Sequence, residues 1–223
     1  MNQEQALSLL KETKLVAILR GIPVKQATDI ATALYDGGVR VLEFTFDHDD
    51  PDCVAHNCQR IRAVKKIFGD EMVVGCGTAL TVQEVEASVE AGGQIVISPN
   101  VDVSVIAKTK ALGAISMPGA LTPTEIVMAY NAGADIVKLF PAGTLGVPYI
   151  KAVRGPLGYI PMSAVGGVRP ETIADFLNVG VCGFGVGGEL VKKEFVRSGD
   201  MNALTSCARK FVHAIEQWEA NRS

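Results

Sequence analysis

The stretch Asp36-Gly37-Gly38-Val39-Arg40-Val41-Leu42-Glu43-Phe44-Thr45-Phe46 holds the unit on which the chain is built. A helix-like segment ends in a glycine turn, and an apolar run of strand length follows. Glycine after a helix supplies the left-handed cap that stops it. The same turn recurs as Ala91-Gly92-Gly93, Ala132-Gly133-Ala134 and Val179-Gly180-Val181. The apolar runs are Leu15–Leu19, Val39–Phe46, Met72–Cys76, Gln94–Ser98, Gly113–Met117, Ala134–Phe140, Ile160–Val165 and Val181–Val186. Most are apolar at successive positions, as in a parallel sheet covered by helices. Helix starts are legible between them. Thr81-Val82-Gln83-Glu84 and Thr122-Pro123-Thr124-Glu125 are capping boxes, the second with proline at the first helical position. Asp50-Pro51 reads as a cap followed by a helical proline, and Asn2 to Gln5 as the cap of a short extra helix.

Eight strands alternating with helices predict an α/β fold, the (β/α)8 TIM barrel, as a single domain over residues 1–223. A short N-terminal helix precedes it, and a helix over Ala203 to Trp218, apolar on one face, closes it. The competing architecture is an open doubly wound sheet. Arg20-Gly21-Ile22-Pro23 follows the first strand where a dinucleotide-binding sheet would carry GxGxxG.

Composition narrows the function classes. The chain has 223 residues, of which 48% are hydrophobic and 20% charged, with net charge −3. That content supports a large core and argues against disorder. The acidic balance argues against nucleic acid and anionic membrane as partners. No apolar run approaches the ~20 residues of a membrane span. Met1 to Glu12 lacks the basic and apolar regions of a signal peptide, so a cytoplasmic protein is expected. The five cysteines contain no CxxC and read as reduced thiols.

Charged residues inside apolar strands carry the chemical signal, because barrel active sites lie at the C-terminal ends of strands. Lys138, in Ile136-Val137-Lys138-Leu139-Phe140, is costly to bury unless it is paired or neutral. A neutral lysine amine can attack a ketone and form a Schiff base. A structural ion pair, or cationic binding of an anion, is the other reading. Glu43 shares strand parity with Thr45, so both face the same way. It can shuttle protons for Lys138 or merely neutralise Lys138 or Arg20. Arg20 ends the first strand, and its fork suits a carboxylate or phosphate. Thr78 ends the third. Ser98-Pro99-Asn100 and Met117-Pro118-Gly119 end the fourth and fifth. Val165-Gly166-Gly167-Val168 and Gly183 to Gly188 follow the seventh and eighth strands, where barrels often build a phosphate site from backbone amides. The Asp47-His48-Asp49-Asp50-Pro51-Asp52 loop could hold a divalent ion, though a solvated acidic loop is the simpler reading and no metal is expected.

These segments, above all Val137-Lys138-Leu139-Phe140-Pro141-Ala142 together with Leu42-Glu43-Phe44-Thr45, resemble the class I 2-keto-3-deoxy-6-phosphogluconate and 4-hydroxy-2-oxoglutarate aldolases. The resemblance runs over about residues 5 to 197, in the family's order. It implies a (β/α)8 barrel, usually a homotrimer, that needs no cofactor. The substrate would be a 2-keto acid phosphate, cleaved to pyruvate and an aldehyde. On this resemblance Lys138 matches the Schiff-base lysine and Glu43 the general acid/base. Arg20 and Thr78 match the pyruvate-carboxylate end or the mouth, and Pro118 the proline of the fifth-strand motif. Gly166, Gly167, Gly187 and Gly188 lie in the phosphate loops.

Three departures stand out. Asp47 occupies the position of an arginine that helps bind the substrate carboxylate. Gly187-Gly188 lacks a usual serine hydroxyl. Ser98-Pro99-Asn100 and Ala164-Val165-Gly166-Gly167 look more like the 2-dehydro-3-deoxy-6-phosphogalactonate branch. Two alternatives stay open on the residues. One is a metal-assisted sugar-phosphate epimerase or aldolase using the Asp47–Asp52 loop. The other is a non-catalytic phosphometabolite-binding protein.

Overall fold

The computed structural model describes residues 1–222. All eight apolar runs form strands: β1 (Leu15–Leu19), β2 (Val41–Thr45), β3 (Val73–Gly77), β4 (Ile95–Ile97), β5 (Ile115–Met117), β7 (Val137–Leu139), β8 (Met162–Val165) and β9 (Gly183–Val186). A two-residue strand, β6 (Gly119–Ala120), continues β5 past Pro118. Every pairing is parallel, in the order β5-β4-β3-β2-β1-β9-β8-β7-β6. The two ends of that order are one stretch of chain. β5 bonds to β4 on one side, while Ser116 O, Pro118 O and Ala120 O accept from Asp135, Lys138 and Phe140 N–H on the other (3.0, 2.9 and 3.2 Å). The fifth stave thus closes the ring although Pro118 breaks it, since proline withholds a donor but keeps its acceptor.

Alternation sorts the strand residues into two cores. Leu15, Ala17, Leu42, Phe44, Val74, Val137 and Leu139 face outward into the helix layer. Val16, Val41, Val73, Ile95, Ile115 and Ile136 face inward and fill the lower barrel. The N-terminal helix α1 (Gln3–Thr13) lies across the bottom and adds Ala6 and Leu10 to that inner core. Its Asn2–Gln5 capping box forms as expected, as do those at Thr81–Glu84 and Thr122–Glu125. One helix start differs. The helix after β2 begins at Cys53, not Pro51, because the Asp50 carboxylate bonds Asp52 N–H in the loop and His56 Nδ1 on the first helical turn instead of capping.

The C-terminal helix runs Met201–Ala220 and packs through Leu204, Ala208, Phe211 and Ile215 on the helix Ala27–Asp36. The two come closest at Gly37, where a Cβ would lie 2.4 Å from Ala208 Cβ and 2.9 Å from Thr205 O. Gly37 has ordinary helical angles (φ −83°), so alanine there is excluded by space alone. Gly37→Ala should therefore lower stability by about 1–3 kcal/mol, the usual cost of overpacking. Ala208→Gly in the same chain should recover part of it, as read from urea midpoints.

Candidate active site

A cavity of about 560 Å³ opens at the C-terminal ends of the strands. Its floor is the next inward layer above the apolar core. Register places Glu43 beside Ile18 and Gly75, and Lys138 beside Gly119 and Ser163. Glu43 and Lys138 both line the cavity and are only 2% and 7% exposed. The Lys138 Nζ sits 5.0 Å from the centre of the Phe140 ring, which covers it from the mouth. Thr45 Oγ1 donates to Glu43 Oε2 at 3.4 Å. The shared parity of Glu43 and Thr45 thus becomes a contact.

Gly77 makes the room for this carboxyl. A Cβ built on Gly77 would fall 1.7 Å from Glu43 Oε2 and 2.1 Å from its Cδ. Glycine at this position of the third strand, beside Thr45 of the second, leaves a hollow that holds the glutamate.

Burial moves both groups toward neutrality. It lifts the Glu43 carboxyl to about 7, against the pull of the Lys138 charge, the Thr45 hydrogen bond and Arg20. It depresses the Lys138 ammonium; the Glu43 charge opposes that, and Arg20 adds to it. Desolvation is the largest cause for both, as expected for charges taken from water into an apolar interior. A carboxyl near 7 can both accept and return a proton at neutral pH.

Around this pair stand most of the residues expected from the sequence. Arg20, Thr78, Gly166, Gly167, Gly187 and Gly188 all line the cavity. Thr78 holds φ +56°, an uncommon conformation for a β-branched residue, costing on the order of 1–3 kcal/mol. Among the described residues the N–H groups of Gly167, Gly188 and Glu189 find no backbone acceptor, so both glycine loops present donors. Pro118 is different: it does not line the cavity, and it bears on the site by holding Lys138 N–H through its carbonyl.

Sequence reading missed several lining residues. Phe140 could have been found, since it shares parity with Lys138 two residues on. Ile18 and Val165 are likewise inward by alternation. Lys193 carries no such signal. It reaches the mouth because the chain folds back after β9, with Leu190 and Val191 N–H on Gly187 O (2.9 and 2.7 Å). Asp47 and His48 also line the cavity. Groups of the acidic loop are engaged by partners in the protein. His48 Nε2 meets Glu84 Oε1 at 2.7 Å and His56 Nδ1 meets Asp50 Oδ2 at 2.7 Å. Among the described residues no three His, Cys, Asp or Glu side chains converge as a metal site would require. All five cysteines are free thiols.

Known proteins are similar to this chain in sequence and fold. The sequence model of the family "KDPG and KHG aldolase" matches residues 7–207. The chain is 37% identical over 182 residues to a probable 2-dehydro-3-deoxy-6-phosphogalactonate aldolase of Rhizobium meliloti (strain 1021), covering 81% of this chain and 83% of that one. It is 35% identical over 179 residues to the 2-dehydro-3-deoxy-6-phosphogalactonate aldolase of Escherichia coli (strain K12), covering 80% and 84%. A solved structure described as native KDPGal superposes with a TM-score of 0.83 at 32% identity, over 92% of this chain and 96% of that one.

Two predictions test the geometry. Glu43 has a higher pKa folded than unfolded, so its contribution to stability is full below about 4.5 and is lost as pH rises through about 7. Between those limits wild-type stability should fall by about 3 kcal/mol relative to Glu43→Gln, measured by denaturant titration across pH. Gly77→Ala should fold, displace the carboxyl by about 1 Å or more, and cost on the order of 100-fold in turnover.

Proposed function

The chain belongs to the KDPG and KHG aldolase family, and on that premise we propose that it cleaves a 2-keto-3-deoxy-6-phospho sugar acid to pyruvate and glyceraldehyde 3-phosphate through an imine on Lys138. 4-Hydroxy-2-oxoglutarate, cleaved to pyruvate and glyoxylate, is the second substrate. The observation that carries the mechanism is the buried pair: an amine and a carboxyl in one pocket, each driven toward its neutral form.

Neutral Lys138 Nζ attacks the C2 ketone, and the Glu43 carboxyl gives a proton to the forming alkoxide. The carbinolamine loses water to become an iminium. Burial that disfavoured the ammonium now favours pairing of the iminium with the Glu43 carboxylate. Glu43 takes the C4 hydroxyl proton, the C3–C4 bond breaks, and its electrons pass into the iminium to give an enamine. The aldehyde departs. Glu43 returns its proton to C3, and water releases pyruvate from Lys138. The scheme needs no cofactor.

Arg20 and Thr78 serve the carboxylate end and the mouth. The free amides beside Gly166-Gly167 and Gly187-Gly188 serve the phosphate, with no side-chain hydroxyl at Gly187 or Gly188. Pro118 acts through the backbone it holds. Asp47 lines the same cavity and repels anionic groups close to it, so Arg20 has to hold the carboxylate against that repulsion. The phosphogalactonate isomer is the first to test, supported by the two relatives described and by Ser98-Pro99-Asn100. We place the protein in the cytoplasm as a homotrimer, on the family resemblance. No helix among the described residues is long and apolar enough to cross a membrane.

Pyruvate and borohydride test the imine directly. A reduced pyruvate adduct should form on Lys138, located by peptide mass, and be lost in Lys138→Ala. Glu43→Gln should lose about 10²–10⁴-fold in turnover, the usual worth of a positioned acid/base. A folded wild-type protein without the adduct would overturn the assignment.

A further inference from the structure

Glu43 and Lys138 do the bond chemistry, but the acidic loop after β2 also reaches the cavity, and it does so in a fixed way. Its His48 lines the wall and is held by Glu84, which is only 5% exposed. Glu84 is the third residue of its helix. Its Oε2 accepts from Leu80 and Thr81 N–H (2.7 and 3.0 Å), while Oε1 meets His48 Nε2 (2.7 Å). A capping-box carboxylate thus ties the loop after β2 to the loop after β3. The Phe46 ring lies beside the imidazole, with centroids 6.2 Å apart.

This arrangement has a consequence for the imidazole. As a carboxylate Glu84 only accepts hydrogen bonds, so His48 Nε2 must be the donor. In the neutral ring Nδ1 is then an acceptor, and among the described residues it has no hydrogen-bond partner. The charges nearby say what it can receive. Asp47, its chain neighbour on the same wall, disfavours a carboxylate or phosphate. A hydroxyl is the group that fits an acceptor beside a carboxylate.

We propose that His48, oriented by Glu84, is a specificity-determining residue that accepts a hydrogen bond from the hydroxyl next to the aldehyde carbon of the leaving fragment. In the substrate this is the C5 hydroxyl, one carbon beyond the hydroxyl that Glu43 deprotonates. Both readers stand on the same stave, since His48 follows the strand that carries Glu43. Glu84 is the positioning residue. The inference rests on the aldolase reading above.

The test runs in the synthetic direction, with pyruvate and either glyceraldehyde 3-phosphate or 3-oxopropyl phosphate, which lacks that hydroxyl. Wild type should prefer the hydroxylated acceptor by about tenfold or more in kcat/KM. His48→Phe keeps a ring beside Phe46 but removes the acceptor, and should bring the ratio of the two close to one. Glu84→Gln keeps a capping-box residue while its amide can donate toward His48. Nitrogen NMR of labelled histidine, assigned by difference from His48→Phe, should show Nε2–H in wild type and a changed tautomer balance in Glu84→Gln. A ratio that survives in His48→Phe, or an Nδ1–H tautomer in wild type, overturns the proposal. Absence of the pyruvate adduct on wild-type Lys138 would instead strike the aldolase reading itself.

Discussion

Removing an amine and a carboxyl from water in the middle of an apolar barrel is the constraint on which the site depends. Each group is destabilised in its charged form. In close contact they would neutralise that penalty as an ion pair, and the lysine would stay an ammonium. Here they feel each other's charge while each leans on something else, Lys138 on the Phe140 ring and Glu43 on Thr45. The remaining design keeps it so. The inner core of Val16, Val41, Val73 and Ile115 keeps water from below, and the Gly77 hollow fixes where the carboxyl sits.

The backbone takes part in this placement. Pro118 interrupts the fifth stave, yet its carbonyl still receives Lys138 N–H, so the residue that breaks a strand also sets the height of the neighbouring lysine. Thr78, with its positive φ, similarly follows directly on the glycine that receives Glu43. Both irregularities lie at the rim, above regular strands. This is the usual division between a rigid scaffold and the loops that use it.

The fold was legible because one physical signal repeats. Glycine turns at Gly38, Gly92, Gly133 and Gly180 all take positive φ, and each leads to an apolar strand. Glu43 and Lys138 were legible because charge inside an apolar strand has few explanations. Other features needed three dimensions. Lys193 comes to the mouth through a turn that leaves no periodic trace. The partnership of His48 with Glu84 spans 36 residues and joins two loops. Glu84 itself was read as half of a capping box, which it is, and nothing in that motif says its second oxygen faces another loop. Asp50 was misread as a helix cap because a side chain that can cap can equally bond within its own turn.

The helix across the bottom closes that end of the barrel, and the pocket opens at the other. Traffic through it must be ordered. On the proposed chemistry, a ketone that settles on the floor lysine has the rest of its own chain above it, between itself and the outside. After the carbon–carbon bond breaks, the fragment still tethered below cannot go until the free one above has gone. First in is last out, and a molecule of aldehyde lingering at the rim holds the whole cycle. With that chemistry, the geometry of a plugged cylinder sets a kinetic sequence that no single side chain encodes.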